Sequence, residues 1–332
     1  MKILIIRFSS IGDVTQALSL PYLIQQNHPT ADIHFLTRLD FKEIVSCSRA
    51  IAKIWTVDKI EGLFGLWQIV QQLREQNYDV VYDAHNNLRS FFVRFFLNPK
   101  IKIIKPMYRF KRFLLLNFKI NLFPQPFSGQ MDLIRPLQQM DIKSEIPENA
   151  VMILPEKTIQ DTQQFLLSHG LNESDFNSYY VFVPSAAHFF KRWPIKHWVQ
   201  LAKNNSTKKI IVLAGPNDTF TNELNVLPNI INLTGQTTLL QSAAVILLAN
   251  KIITNDTGML HFSEQLGKKT VALMGPAPFG YPSKTQTTTT LIEKTLKCKP
   301  CSKHGQGPCV NKTYYHECMD SITPDEVQNA LL

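Results

Sequence analysis

Three strand-to-helix junctions in this sequence carry side chains able to do chemistry. The first is Arg7-Phe8-Ser9-Ser10-Ile11-Gly12-Asp13-Val14. A carboxylate at such a turn is either an N-cap favoured by the helix dipole or a general base, set at the carboxyl end of a strand to reach a substrate hydroxyl. A single Gly stands where a dinucleotide site would carry G-x-G-x-x-G, which argues against a nicotinamide enzyme. The second junction runs from Val183 to Pro194, with Lys191 and Arg192 just ahead of a helix that opens at Pro194. They read either as a solvated basic pair or as a phosphate clamp, a point charge beside a fork. The third is Thr254-Asn255-Asp256-Thr257-Gly258-Met259-Leu260-His261. Gly258 admits a ligand close to the backbone, and the helix start offers N–H groups to an anion. Thr257 and His261 lie four apart and so share one helical face. Asp218, after Leu213-Ala214-Gly215, could hold a ribose hydroxyl or close a turn.

Cys298, Cys301, Cys309 and Cys318 gather four of the five cysteines, with His304 and His316 among them. Four thiols in a loop-like stretch could hold a structural zinc tetrahedrally or remain free. Disulfides are disfavoured in a cytoplasmic chain. Cys47 reads as core.

The elements that must position these residues come in two sets. Lys2–Ile6, Ile33–Leu36, Ile54–Val57 and Asp79–Tyr82 read as strands, with helical patterns at 14–26, 40–47, 62–76 and 86–97. The pattern restarts with strands at 181–184, 210–214, 230–233, 251–254 and 270–274, separated by helices at 194–204, 237–249 and 258–267. A last helix, 324–332, is capped by Thr323. This alternation predicts two α/β halves with parallel sheets, joined between Glu145 and Tyr180.

A length of 332 residues fits about two domains at roughly 150 residues each. An apolar share of 44% with 18% charged residues excludes wholesale disorder. No apolar run approaches the ~18 residues of a membrane span, and Ile3–Ile6 is too short for a signal peptide, so the chain reads as cytoplasmic. The net charge of +9 is local: Arg89 to Lys119 holds Arg89, Arg94, Lys100, Lys102, Lys105, Arg109, Lys111, Arg112 and Lys119, and no acidic residue. Eight Phe and Tyr residues interleave with them. Such a segment suits an anionic bilayer face or nucleic acid. It equally suits a buried helix and strand with snorkelling cations at its edges.

The run Ile5–Val14, the tetrad Lys191-Arg192-Trp193-Pro194, the run Asn255–His261 followed by Val271–Pro276, and the cysteine pattern through Met319, Pro324 and Val327 together resemble one family. It is the ADP-heptose:lipopolysaccharide heptosyltransferases, glycosyltransferase family 9. The resemblance implies a GT-B fold, an α/β architecture of two Rossmann-like domains facing each other across a cleft. An acceptor-binding domain would cover 1–160 and a nucleotide-sugar-binding domain 161–320, with a C-terminal helix over 321–332 packing back on the first. It implies inverting, metal-independent transfer of heptose from ADP-heptose to a lipid-linked anionic acceptor of the lipopolysaccharide inner core. The place would be the cytoplasmic face of the inner membrane, as a peripheral contact, without nucleic acid and with zinc, if any, structural.

Carried over by position, Asp13 is the base and Lys191 binds the diphosphate. Ser10, Gly12, Ser185, Arg192, Asp218, Asp256, Thr257 and Gly258 contact substrate, with His261 in support. Members often carry Thr before the lysine; Ala186 and Ala187 stand there in this chain, leaving Ser185 to substitute. Arg109, Lys111 and Arg112 would form an acceptor or membrane patch on the acceptor-binding domain. Other readings are a transferase or epimerase acting on a different nucleotide sugar, or a nucleic-acid-binding protein with a zinc module. The last leaves the two-Rossmann pattern unexplained.

Overall fold

The computed structural model describes residues 1–58, 60, 62–125, 127–284 and 287–331. The chain divides into two compact units, one of residues 1–108 with 129–153 and the other of residues 109–128 with 154–332. Each is built on one parallel sheet.

In the first unit β1 (Lys2–Ile6) leads through α1 (Ile11–Ala17) and α2 (Ser19–Asn27) to β2 (Asp32–Arg38). Then come α3 (Lys42–Val45), β3 (Lys53–Val57), α4 (Gly62–Arg74), β4 (Val80–Asp83), α5 (Leu88–Leu97) and β5 (Ile101–Ile104). The strand order is β3-β2-β1-β4-β5. Ile5 pairs with Phe35 on one side and Tyr82 on the other, so β1 is central and buried on both faces, which its unbroken Ile-Leu-Ile-Ile run requires. The helix expected over 14–26 is two helices that begin earlier. Leu18 separates them, and Pro21, which has no N–H to give, falls in the first turn of α2. Gly12 and Asp13 therefore lie inside the first turn of α1.

The chain then enters the second unit as α6 (Arg109–Phe118) and returns to the first as α7 (Gly129–Ile134). The second unit resumes with α8 (Glu156–Ser168), β6 (Tyr180–Val183), α9 (Ile195–Asn204), β7 (Ile210–Val212), β8 (Ile230–Asn232) and α10 (Leu239–Leu247). After these follow β9 (Lys251–Asn255), α11 (Gly258–Gln265), β10 (Thr270–Met274), β11 (Thr289–Glu293), α12 (Glu317–Asp320) and α13 (Pro324–Asn329). The order is β11-β10-β9-β6-β7-β8. Read from the first strand of each unit, both sheets follow the Rossmann winding, and the order reverses between β1 and β4 and between β6 and β9. Such a reversal opens a crevice at the carboxyl ends of the two strands, where ligands bind.

The break falls at Ile153, ahead of α8 and within the window 145–180, while residues 109–128 belong to the second unit. The C-terminal helix is part of the second unit. Its Val327, and Leu331 after it, are buried in the core of the second unit with Trp198 and Leu201 of α9, because this is where the one apolar face of the helix finds a matching surface. Leu332, the expected end of that helix, lies outside the described residues. No helix among the described residues is long and apolar enough to cross a membrane.

Trp198 is fully buried in this core and donates its indole N–H to the Trp193 carbonyl at 3.2 Å. Trp198→Ala is expected to lower stability by about 3–5 kcal/mol, read from urea unfolding.

Candidate active site

The first junction forms around Arg7, which leaves β1 buried. Its Nη1 donates to the Ala84 carbonyl at 2.6 Å and its Nη2 lies 2.8 Å from Asp13 Oδ1. Asp13 Oδ2 accepts the Ser10 N–H at 3.1 Å and the Ser10 hydroxyl at 2.8 Å. Asp13 is thus a capping residue of α1, reaching back to the helix start. Its side chain is also 46% exposed, and among the described residues Oδ1 carries the single contact to Arg7, so a second lone pair there can meet a ligand. The protein packed around the carboxylate opposes its charge, but Arg7 and the Ser10 donors outweigh that and hold its pKa down at about 2.

On the far side of the switch point, β4 ends in Asp83. It is fully buried and accepts the backbone N–H groups of His85 and Asn86 at 3.1 and 2.7 Å. His85 packs edge-on against Phe8, with ring centroids 5.6 Å apart. Burial, then Arg7, push its pKa down to about 4, so its imidazole is neutral near pH 7. Arg7 and His85 had no role in the sequence reading. The signal for Arg7 was its place one residue beyond the strand; nothing local marked His85.

In the second unit one fully buried side chain ties the two junction loops together. Asn255, the last residue of β9, donates from Nδ2 to the Pro184 carbonyl at 2.7 Å and accepts the Trp193 N–H on Oδ1 at 3.1 Å. The loop from β6 to α9 is therefore pinned across the end of β9. Lys191 on that loop meets Asp256, with Nζ 2.6 Å from Oδ2 and both side chains mostly buried. Thr257 takes the N-cap position of α11 in extended conformation, and among the described residues its side chain makes no capping hydrogen bond. The Leu260 N–H closes onto the Thr257 carbonyl at 3.2 Å, which leaves the N–H groups of Gly258 and Met259 to a ligand or solvent. His261, in the next turn, lies 3.4 Å from Glu264, a fully buried carboxylate that also accepts the N–H groups of Ser283 and Lys284 at 2.7 Å.

Asp218 is a separate hub. It accepts the Ser185 hydroxyl at 2.6 Å and the Gly215 N–H at 3.0 Å on Oδ2, and pairs with Arg192 Nη2 at 3.0 Å on Oδ1. Ser185, Arg192 and Asp218 thus meet one another, forming a polar edge beside the Lys191–Asp256 pair.

The late cysteines line one pocket together with His316 and Glu317. All are free thiols. Burial pushes the Cys301 thiol up, and the Cys318 thiol up to about 12, which keeps them protonated. Among the described residues no three His, Cys, Asp or Glu side chains converge on a point that could hold a metal ion. The tetrahedral zinc site suggested by the spacing is therefore not formed by Cys298, Cys301, Cys309 and Cys318 in this structure. Their loop instead braces Lys191. A Cβ on Gly305 would lie 2.7 Å from Lys191 Cγ, so only glycine lets the loop seat there. His316 Nε2 also donates to the Phe190 carbonyl at 3.1 Å.

The basic residues are placed differently from expectation. Arg109, Lys111 and Arg112 lie on α6, in the second unit and not on the first. The physical reason is aromatic packing: Phe123 and Phe127, downstream of α6, pack edge-to-face on Phe279, and Arg112 lies 5.1 Å over the same ring.

Two Rossmann-like units, each with polar and charged side chains gathered at its switch point, make up the GT-B fold. The model of glycosyltransferase family 9 (heptosyltransferase) matches residues 66–313. The chain belongs to this family. A curated relative, lipooligosaccharide heptosyltransferase 2 of Haemophilus ducreyi, is 27% identical over 100% of this chain and 98% of its own. Among solved structures, a family 9 glycosyl transferase from Veillonella parvula superposes with a TM-score of 0.80 at 20% identity, covering 99% of this chain and 95% of the other. E. coli heptosyltransferase WaaC with ADP-2-deoxy-2-fluoro heptose superposes at 0.69 and 18% identity, covering 100% and 99%.

The Arg7–Asp13 pair has a direct spectroscopic consequence. An NMR titration of the labelled Asp13 carboxyl is expected to have its midpoint at about 2, against the ordinary 3.8. Since the folded value is the depressed one, the pair's contribution to stability is complete above pH 4 and fades as pH falls toward 2. Arg7→Met should move the midpoint upward.

Proposed function

We propose that this enzyme transfers heptose from ADP-heptose to an acceptor in the lipopolysaccharide inner core, with inversion at the anomeric carbon and without a metal ion. The observation that carries the reading is the pairing of Lys191 with Asp256 at the open first turn of α11, a ready anion site at a Rossmann switch point. The names of the relatives, which include heptosyltransferases of lipooligosaccharide and a structure holding an ADP-heptose analogue, support the donor and acceptor classes.

In this mechanism the acceptor hydroxyl gives its proton to Asp13 as its oxygen bonds to the anomeric carbon. The bond from that carbon to the diphosphate breaks, and its electron pair leaves with ADP. Attack from the face opposite ADP inverts the centre. The diphosphate gains charge as it departs, and Lys191 with the N–H groups at Gly258 meets that charge more strongly in the transition state than before it. A metal is unnecessary where these donors supply the compensation. The Arg7 pair keeps Asp13 ionised at any working pH, though as a weaker base than an unpaired carboxylate.

Asp13→Asn and Lys191→Ala are each expected to lower kcat by roughly 10²-fold or more, read from transfer of heptose to deacylated inner-core acceptor. Near-normal turnover in folded Asp13→Asn would remove it as the base. Loss of activity in EDTA, restored by a divalent ion, would overturn metal independence.

The acceptor is polyanionic and lipid-linked, so we place catalysis at the cytoplasmic face of the inner membrane, with Arg109, Lys111 and Arg112 of α6 drawing it in. The triple Glu substitution should weaken binding to acceptor or anionic vesicles severalfold and leave ADP affinity unchanged. Equal vesicle and acceptor binding by wild type and variant would return α6 to a structural role.

A further inference from the structure

A cavity of about 220 Å³ lies within the second unit, walled by the loop 276–281, the end of β11 and the stretch after α6. It is many times the ~30 Å³ of a water in the liquid and smaller than the ~300 Å³ at which drug-sized sites begin. It therefore suits one ring and not a whole nucleotide.

The wall has two chemistries. Phe123, Phe127 and Phe279 form an aromatic triangle with centroids 5.5, 5.4 and 5.3 Å apart. The polar lining centres on Glu293: the Tyr281 hydroxyl donates to Oε2 at 2.6 Å, and Lys299 Nζ donates to the same oxygen at 2.9 Å. Neither contact uses Oε1. The Asn121 and Gln125 amides also line the cavity. A purely apolar ligand would strip water from the Glu293–Lys299 pair without replacing it. An anion would meet the Glu293 carboxylate. A pyranose matches both parts, since its C–H faces lie on aromatic rings and its hydroxyl edge can donate to a carboxylate and accept from an ammonium.

The cavity also adjoins the residues already described. Gly280 lies between Phe279 and Tyr281, and a Cβ there would come within 1.9 Å of Asp256 Oδ1, so the loop that forms the wall is seated directly on Asp256. Arg112 of α6 covers the Phe279 ring from the basic side.

We propose that this cavity is a sugar subsite, taking one pyranose ring against the Phe279 cluster, with its hydroxyls on Tyr281, Glu293 and Lys299. The source of the ring, acceptor glycan or donor, rests on the glycosyl-transfer reading above; the ring chemistry does not.

The test is isothermal titration of the full-length enzyme with three probes: ADP, ADP-heptose and deacylated inner-core oligosaccharide. Glu293→Gln keeps the shape of the side chain and Tyr281→Phe removes a single hydroxyl, and thermal unfolding confirms that both variants are folded. Either change should weaken a sugar probe roughly tenfold, the scale of one charge-assisted hydrogen bond, while ADP affinity stays within twofold. Weakening confined to the oligosaccharide assigns an acceptor ring; weakening of ADP-heptose alone assigns the donor ring. Unchanged affinity for both sugars in folded variants overturns the subsite. These readouts do not need turnover. Wild-type enzyme that binds the sugars, with weakened binding in the variants, but transfers no heptose would sink the functional reading and leave the subsite standing.

Discussion

The second unit depends on one amide. Asn255 spends both ends of its side chain on the loop that leaves β6, and it does so with no exposure to water. A buried amide with either end unmatched would cost on the order of 1–3 kcal/mol. The loop therefore cannot drift from the end of β9 without a penalty. Lys191 and Asp256 inherit their 2.6 Å approach from this constraint, since one sits on the pinned loop and the other follows Asn255 directly. The cysteine-rich loop presses on the same lysine stem from another direction.

A common electrostatic logic runs through both units. The acidic and basic side chains assigned to the chemistry already have an opposite charge beside them: Asp13 with Arg7, Lys191 with Asp256, and Arg192 with Asp218. Largely buried charges without partners would shift their protonation or distort the site. Paired, they hold their geometry before any ligand arrives, and a ligand anion shares a partner with Asp256 instead of recruiting one from solvent. Preformed geometry of this kind favours the transition state because little reorganisation remains to be done.

Much of this was legible in the sequence. Runs such as Ile3–Ile6 and Ile252–Ile253 can only be buried on both faces, and that fixed the parallel sheets and with them the position of every junction loop. Asp13, Lys191 and Asp256 stood out because they follow such runs. The rest needed three dimensions. β5 was hidden by its flanking lysines, and β11 by the threonines that make up its start. The Arg7–Asp13 pair spans a turn whose shape no local pattern gives, and Asn255 was visible only as one polar residue among several. The cysteine spacing gave no hint that the loop carrying it braces Lys191 through Gly305. The basic segment divides at Tyr108: Arg89 to Lys105 stay in the first unit, and Arg109 to Lys119 go to the second because their anchor, Phe279, is remote in sequence.

The excursion of residues 109–128 bears on how this enzyme can be taken apart. Neither unit is a continuous stretch of chain. A fragment ending near Ile153 would carry α6 and its aromatic neighbours without the surface they cover, leaving Leu115, Phe123 and Phe127 open to water. A chimera that exchanges the second unit with that of a relative must bring this inserted segment along with the remainder. Shuffling at a single junction would leave a mismatched patch of aromatic rings, and recombination would therefore conserve or lose the two pieces together.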